Sequence, residues 1–190
     1  MASIINVDQI RNAAGTASAT IQSDGTFYPT GGIVQIVSTT KTDAFTATTG
    51  TPASPIDVTG FSLNITPKST SSKILVRASL NYGGYLNVYG AFYFLRDGTH
   101  LVRSTAVTGS SQTKAAIAVH GDNNNFQYGL QSAQFEYLDS PASTSQLTYK
   151  MQMSSHNGTT EFYLNRPYDT ANSAYLHGGT STFTLMEIAG

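Results

Sequence analysis

Hydrophobic and polar residues alternate along most of the chain, and a period of two predicts β-strands. In the run Leu147–Met153, Leu, Tyr and two Met side chains fall on one side, whereas Thr, Lys and Gln fall on the other. The runs Lys73–Leu80, Gln131–Leu138 and Thr180–Ile188 alternate in the same way. Strict alternation is typical of antiparallel strands that turn one face to a core and one to water. We expect the last of these runs to pair deep inside a sheet.

Glycine-containing turn signals separate these runs and set the expected architecture. Asp97-Gly98 lies between two β-prone segments and predicts a tight hairpin. The pattern contains roughly eight to ten strands and no convincing helix after residue 15. It predicts an all-β fold, an antiparallel β-sandwich of the jelly-roll type.

The first 32 residues follow a different pattern and predict a helix/hairpin arm. Asn6 suits a helix N-cap with Gln9 in the capping-box position, and Gly15 suits the helix end. The segment Ala19–Phe27, with a Ser-Asp-Gly turn, predicts a small hairpin. We therefore divide the chain into an arm, residues 1–32, and a β-sandwich head, residues 33–190.

Two interpretations of the arm are open: a frayed terminus, or a segment for attachment or trimerisation. A helix of one or two turns is not stable alone in water, so it has to dock on something. We favour an anchoring arm, because a capped helix and a turn are more local order than a tail needs. Its apolar contacts would be Ile5, Val7, Ile10 and Ile21.

The segment Ala91–Leu95 is apolar on both faces of a strand. Such a strand is either central in the fold or covered by a neighbouring subunit. We predict the second arrangement, with Phe92 and Phe94 at a subunit interface.

Composition narrows the function classes. Ser and Thr supply 47 of 190 residues, while charged residues make up 11%, against about 25% in an average domain. A net charge of −1 argues against a nucleic-acid-binding protein. The chain has no cysteine, which excludes disulfides, a thiol nucleophile and thiolate metal sites. The longest apolar run, Val88–Leu95, is too short to span a bilayer. The first residues do not form a secretory signal, so we expect a soluble protein without membrane insertion.

Candidate catalytic and metal-binding chemistry is sparse. The chain contains no nucleophile elbow, phosphate loop or zinc-protease motif. Asp97, Asp122 and Asp139 lie in predicted turns, where carboxylates cap backbone N–H groups. The four histidines have no metal-binding spacing, although a histidine on a threefold axis would recur three times. We expect no enzyme, cofactor or metal site; a carbohydrate-active enzyme is the minor alternative.

Tyrosine is the most informative residue type, with eleven tyrosines and no tryptophan. Tyrosines in predicted loops either cover the rim of the sandwich or bind a carbohydrate or a subunit. We place a receptor-binding rim on residues 82–90 and 121–128. Its candidate residues are Tyr82, Tyr85, Tyr89, Asn124 and Tyr128.

The opening residues MASIINVDQIRNAAGTASATIQSDGT resemble the N-terminal segment of structural proteins of tailed bacteriophages, especially cyanophages. Four later runs resemble the distal β-domain of the same group, so the resemblance covers nearly the whole chain. These runs are Ser71–Val76, Phe94–Thr99, Ser140–Lys150 and Ser181–Glu187.

This resemblance implies a homotrimeric virion structural protein on the virion exterior, assembled in the host cytoplasm. It carries over no catalytic residues. The first hypothesis is a tail-fibre or appendage protein whose arm binds a tail or baseplate protein and whose head contacts the host surface, including a host glycan. The alternative is a capsid decoration (cement) protein that binds the major capsid protein and stabilises the virion head.

Overall fold

The alternating runs form two antiparallel sheets that pack face to face. The computed structural model describes residues 7–21, 23, 25, 27–47, 50–85, 88–109, 112–121, 127–156, 162–171, 174 and 176–190. Within these ranges the regular structure is entirely β. The six-stranded sheet contains β4 (Ile33–Lys41), β5 (Phe45–Thr46), β7 (Lys73–Gly84), β11 (Gln131–Asp139), β13 (Phe162–Leu164) and β14 (Ser181–Ile188). The five-stranded sheet contains β6 (Ile56–Ile65), β8 (Tyr89–Arg96), β9 (Thr99–His100), β10 (Ile117–His120) and β12 (Leu147–Ser155).

The strand order is that of a jelly roll. The long strands run β4-β14-β7-β11 in one sheet and β6-β12-β8-β10 in the other. Each early strand therefore pairs with a late one: β4 with β14, β6 with β12, β7 with β11 and β8 with β10. This is a long antiparallel ribbon rolled into a two-sheet barrel, which confirms the predicted fold. β14 lies between β4 and β7, so the last run pairs inside a sheet, as predicted.

Local sequence explains the individual elements. On β12, Leu147, Tyr149, Met151 and Met153 are buried and the residues between them are less so, as the alternation predicts. Asp97 and Gly98 turn β8 into β9 with φ angles of 47° and 83°. Two successive positive φ angles are typical of a tight hairpin, where aspartate and glycine are favoured.

Phenylalanine rings join the two sheets in the core. Phe94 on β8 stacks on Phe135 of β11, with 3.8 Å between ring centroids. Phe61 on β6 stacks on Phe183 of β14 at 5.9 Å. Each of these pairs takes one ring from each sheet, so the stacking fixes how the sheets face one another.

The prediction that Phe92 and Phe94 lie at a subunit interface is wrong. Both side chains are fully buried in the core of the single chain. The other face of β8, with Ala91, Tyr93 and Leu95, is covered by the chain's own segment around Ala115. That segment is held by hydrogen bonds from Ser104 N–H to Ala115 O and from Ala116 N–H to Phe92 O. The strand is therefore apolar on both faces because the chain itself covers both.

The arm contains a three-stranded antiparallel sheet, β1 (Gln9–Arg11), β2 (Ala17–Ile21) and β3 (Phe27–Pro29). The predicted hairpin is confirmed as the β2–β3 pair. The predicted helix is wrong for the described residues: Gln9–Arg11 is a strand, and Asn6 lies outside them. A turn ending at Gly15, with a φ of 82°, returns the chain onto β1. Pairing with β2 satisfies backbone groups that one isolated helical turn would satisfy poorly.

Three polar side chains form a partly buried network where β8, β11 and β12 meet. Asp139 Oδ2 accepts hydrogen bonds from Arg96 Nη1 at 2.6 Å and from the Tyr149 hydroxyl at 2.7 Å. Burial and the bond to Asp139 raise the pKa of Tyr149 far above its ordinary value. The predicted capping role holds for Asp97, which accepts from Thr148 N–H, but not for Asp139. Asp122 lies outside the described residues.

We predict that Asp139→Ala lowers the free energy of unfolding by about 2–4 kcal/mol, because it leaves the buried Tyr149 hydroxyl and the Arg96 guanidinium unpaired. Urea denaturation followed by circular dichroism measures this change.

The matched control is Glu136→Ala on the same strand. Its ion pair with Arg77 joins two side chains that are each more than half exposed. We expect that loss to stay below about 1 kcal/mol. Equal losses in the two variants would contradict the structural role of the Asp139 network.

Candidate functional site

Strand register places two distinct surfaces at opposite ends of the sandwich. One end, which we call the loop end, is where four strands finish and three others begin: β4, β7, β10 and β12 finish there, and β8, β11 and β14 begin there. The pairs Gln131–Tyr82, His120–Tyr89 and Ser181–Lys41 show this register. At the arm end, Ile188 pairs with both Ile33 and Lys73. β7 has 12 residues. At about 3.3 Å per residue, it separates the two ends by roughly 40 Å.

An aromatic row crosses three neighbouring strands at the loop end. Tyr89 on β8 pairs directly with His120 on β10, and their rings stack at 4.3 Å with an interplanar angle of 7°. His156 follows the last residue of β12 and meets the Tyr89 ring edge-on at 5.7 Å. Tyr89 remains 51% exposed. We call Tyr89, His120 and His156 the aromatic row.

The aromatic row lines a cleft of about 570 Å³. Its lining also includes the buried residues Ala91 and Ser154, together with Pro52 and Thr113. Ligand sites in proteins commonly have volumes of about 300–1,000 Å³. The cleft is therefore large enough for one or two rings of a small molecule or a saccharide.

A second cleft of about 450 Å³ adjoins the first and shares Pro52, Thr113 and His156 with it. Arg103 and Lys114 line the second cleft. Arg103 Nε donates to the Lys114 carbonyl at 2.9 Å, which holds the guanidinium at the wall. Among the described lining residues of both clefts there is no aspartate or glutamate. The combined groove is therefore aromatic at one end and cationic at the other.

A second aromatic cluster lies on the neighbouring loops. Tyr85, which is 42% exposed, packs on Tyr168 at 4.6 Å, and Tyr168 contacts Tyr163 at 6.3 Å. The Arg166 guanidinium lies 3.7 Å above the Tyr163 ring, a cation–π contact. These rings tie the loop after β7 to the segment after β13.

The structure brings together only part of the predicted rim. Tyr85, Tyr89 and Tyr128 are exposed at the loop end, and Asn124 lies outside the described residues. Tyr82 is buried, which contradicts its assignment to an exposed rim. Its ring packs on Phe92 and Phe162, its hydroxyl bonds to Gln131, and burial raises its pKa. Tyr82 is still on β7, where alternation turns it to the core.

Sequence reasoning missed the two histidines of the aromatic row. They are distant in sequence, and only the pairing of β8 with β10 and β12 makes them neighbours. One feature of the sequence could have identified them: each histidine lies at the end of an alternating run, directly before a turn.

Buried polar contacts position the loops at this end. Asn165, with a φ of 66°, donates through Nδ2 to the carbonyls of Lys41 and Asp43 and accepts from the Ser181 hydroxyl. Three connecting segments are thereby joined at one buried amide. These hydrogen bonds fix the positions of the segments at the loop end relative to one another.

At the arm end, the three-stranded sheet docks by a few polar contacts. The Tyr28 and Ser72 hydroxyls hydrogen-bond to one another, and Ala189 N–H donates to Gly32 O at 2.8 Å. The arm leaves Val7, Ile10 and Phe27 exposed, while Ile21 is half-buried. Ile5 lies outside the described residues. The anchoring role of these residues stays a prediction.

The outer face of the six-stranded sheet carries an apolar row. Ile36 pairs with Met186, Met186 with Leu75, and Leu75 with Leu138, one residue on each of four adjacent strands. Ile36 and Leu138, at the two edges, are 57% and 46% exposed. Between this row and the loop end, the outward-facing residues of the same four strands are uncharged except for the pair of Arg77 and Glu136. Sequence reasoning missed this surface because each member is a single apolar residue on an otherwise polar strand face.

Among the residues that the structure describes, no group of three or more histidines and carboxylates is placed to hold a metal ion. Within the same residues, no helix is long and apolar enough to cross a membrane.

No protein-family model matches the chain, and no curated protein matches it. Among solved structures it is similar to the D431N mutant VP2 protein of infectious bursal disease virus in T=1 particles, with 11% identity, a TM-score of 0.38, and coverage of 85% of this chain and 42% of that one. It is also similar to the structure of infectious bursal disease virus of the Gx strain, with 13% identity, a TM-score of 0.38, and coverage of 82% of this chain and 36% of that one. A VP2 subviral particle of the same virus matches with 11% identity, a TM-score of 0.36, and coverage of 98% of this chain and 51% of that one. The chain spans about half or less of those proteins. Because such scores do not establish a common fold, the jelly-roll assignment rests on the strand order.

Proposed function

We propose that the chain is a virion structural protein, a trimeric tail-fibre or appendage protein that is attached through its arm and contacts the host surface with its loop end. The observation that carries this proposal is the separation of two unlike surfaces by the length of the sandwich. The arm end exposes aliphatic and phenylalanine side chains, and the loop end exposes tyrosine and histidine. The apolar arm end suits a permanent contact with another virion protein, and the tyrosine- and histidine-rich loop end suits reversible binding to the host surface.

The sequence resemblance to structural proteins of tailed phages supports the same function. The composition also fits this function, because a protein without cysteine has no thiol that could be oxidised outside a cell. Fold alone does not define function, so the proposal depends on where the two surfaces lie.

The homotrimer in this proposal needs a surface other than Phe92 and Phe94, and the outer face with the apolar row provides it. The row ends in Ile36 at one edge and in Leu138 at the other. A threefold ring would close by placing the Ile36 edge of one subunit against the Leu138 edge of the next.

Charge and area support a second copy of this chain as the occupant. Arg77 and Glu136 lie beside the row and pair with each other within one chain, so the face brings no net charge to a heterologous contact with a second copy. Four strands at about 4.8 Å spacing and eight residues long present roughly 500 Å² of face. A standard interface buries about 800 Å² per partner, a value that edge contacts would help to reach.

We predict that Leu138→Lys converts the trimer to monomers at micromolar concentration, because the substitution places a desolvated charge in an apolar contact. Size-exclusion chromatography with multi-angle light scattering measures the mass.

The matched control is Val102→Lys, an exposed apolar residue of similar exposure, 38%, on the loop that follows β9. It should leave the trimer mass unchanged. A trimer in both variants, or monomers in both, would contradict the assignment of the interface to the outer face.

For the arm, we predict that removing residues 1–30 leaves a folded trimer that no longer joins virions. The full-length double variant Ile10→Glu, Phe27→Glu should show the same loss, since both changes charge the exposed apolar surface of the arm sheet. Immunoblotting of purified particles measures incorporation.

Incorporation equal to wild type in both variants would show that the arm is not the anchor. Gold-labelled antibody on intact virions then locates the protein. Label on the tail supports the appendage function, whereas label on the capsid would replace it by the decoration function.

A further inference from the structure

We infer that the groove formed by the two adjoining clefts is a binding site for an acidic saccharide, with a sugar ring on the aromatic row and its carboxylate or sulfate beside Arg103 and Lys114. This inference deepens the proposed function and rests on it, since it names the ligand class of the host-facing end.

The aromatic row provides the stacking surface. Sugar rings present C–H groups that pack against the faces of aromatic rings, and tyrosine adds a hydroxyl at low entropic cost. Tyr89 is about half exposed although His120 already stacks on it, so a broad ring surface faces solvent. Strand pairing orients both rings before any ligand arrives.

The charge pattern of the groove selects an anion. Arg103 and Lys114 line the second cleft, and His156 borders both clefts. The described lining residues include no carboxylate that would oppose an anion. The chain has ten lysine and arginine residues in all, so two of them at one cleft is a local concentration against a net charge of −1.

The volume of the groove and the polar groups along it suit a saccharide better than a lipid chain. Several lining side chains of the first cleft are small, as at Ala91, Ala118 and Ser154. The Ser154 hydroxyl is buried and bonds to Tyr93 at 3.1 Å. The polar lining groups that remain for sugar hydroxyls are those of Thr113, His120 and His156.

The test is isothermal titration of the purified full-length protein with three probes: tetragalacturonate, a sulfated carrageenan tetrasaccharide and neutral maltotetraose. We expect binding of one or both acidic probes and at least about tenfold weaker binding of the neutral probe. The preferred acidic probe distinguishes a carboxylate from a sulfate as the recognised group. Raising the salt concentration from 50 to 300 mM should weaken the acidic interaction severalfold.

Variants assign the binding to this groove. Tyr89→Ala and Arg103→Ala should each weaken acidic-probe binding by about five- to tenfold, because one removes the stacking surface and the other a cation. Two matched controls should stay within about twofold: Phe27→Ala, an arm residue that is as exposed as Tyr89, and Arg77→Ala, an exposed arginine of the other sheet. Circular dichroism melting confirms that all four variants fold.

The inference is overturned if the neutral probe binds as tightly as the acidic ones, if the controls lose as much affinity as the groove variants, or if no probe binds. Failure of the proposed function is separate: it would appear as antibody label on the capsid together with no adsorption of the protein to host cells. Adsorption to host cells that Tyr89→Ala and Arg103→Ala leave unchanged would retain the proposed function and reject this groove.

Discussion

Phenylalanine rings stacked between the two sheets are the contact on which the rest of the molecule depends. Phe94 meets Phe135 and Phe61 meets Phe183, and each pair joins strands that are far apart in sequence. Phe94 also contacts Phe183 at 6.1 Å, which links the two pairs. Burying a phenylalanine stabilises a fold by about 2–3 kcal/mol. Because the rings fix the distance and facing of the sheets, they also fix which strand ends share each end of the sandwich.

Alternation was sufficient to predict the strands, their inward faces and the fold class, since a period of two needs only neighbouring residues. It could not identify what covers the second face of β8. The covering segment presents the small side chain of Ala115 to β8 and is held by backbone hydrogen bonds, and a period-two pattern reveals neither feature. The helix expected near Asn6 is not found at Gln9–Arg11 for a related reason: β2, only a few residues away, pairs with this segment, and a single helix cap does not outweigh that pairing.

The sequence could predict single residues of the candidate site but not which residues lie next to one another in it. An exposed Tyr89 follows from its position at a strand start, but its partners His120 and His156 follow from register, which is a long-range property. The same holds for the apolar row. Ile36 and Leu138 are unremarkable alone, and they form a surface because Met186 and Leu75 lie between them. Abundant Ser and Thr therefore have a structural meaning here: beside the pair of Arg77 and Glu136, the next row consists of the neutral hydroxyls of Ser38 and Thr184.

The aromatic row takes its rigidity from the core beneath it. Tyr89 is followed by Gly90, where a Cβ atom would lie 2.6 Å from the buried Phe162 ring. Glycine at this position lets β8 approach that ring, and Phe162 in turn packs on Phe92 and Tyr82. Tyr89 and His120 are thus held by a strand pair that is itself pressed against the core, rather than by a free loop. A binding surface ordered in advance loses little conformational entropy when a ligand arrives. In the proposed saccharide groove, such preorganisation would add to the attraction that Arg103 and Lys114 provide.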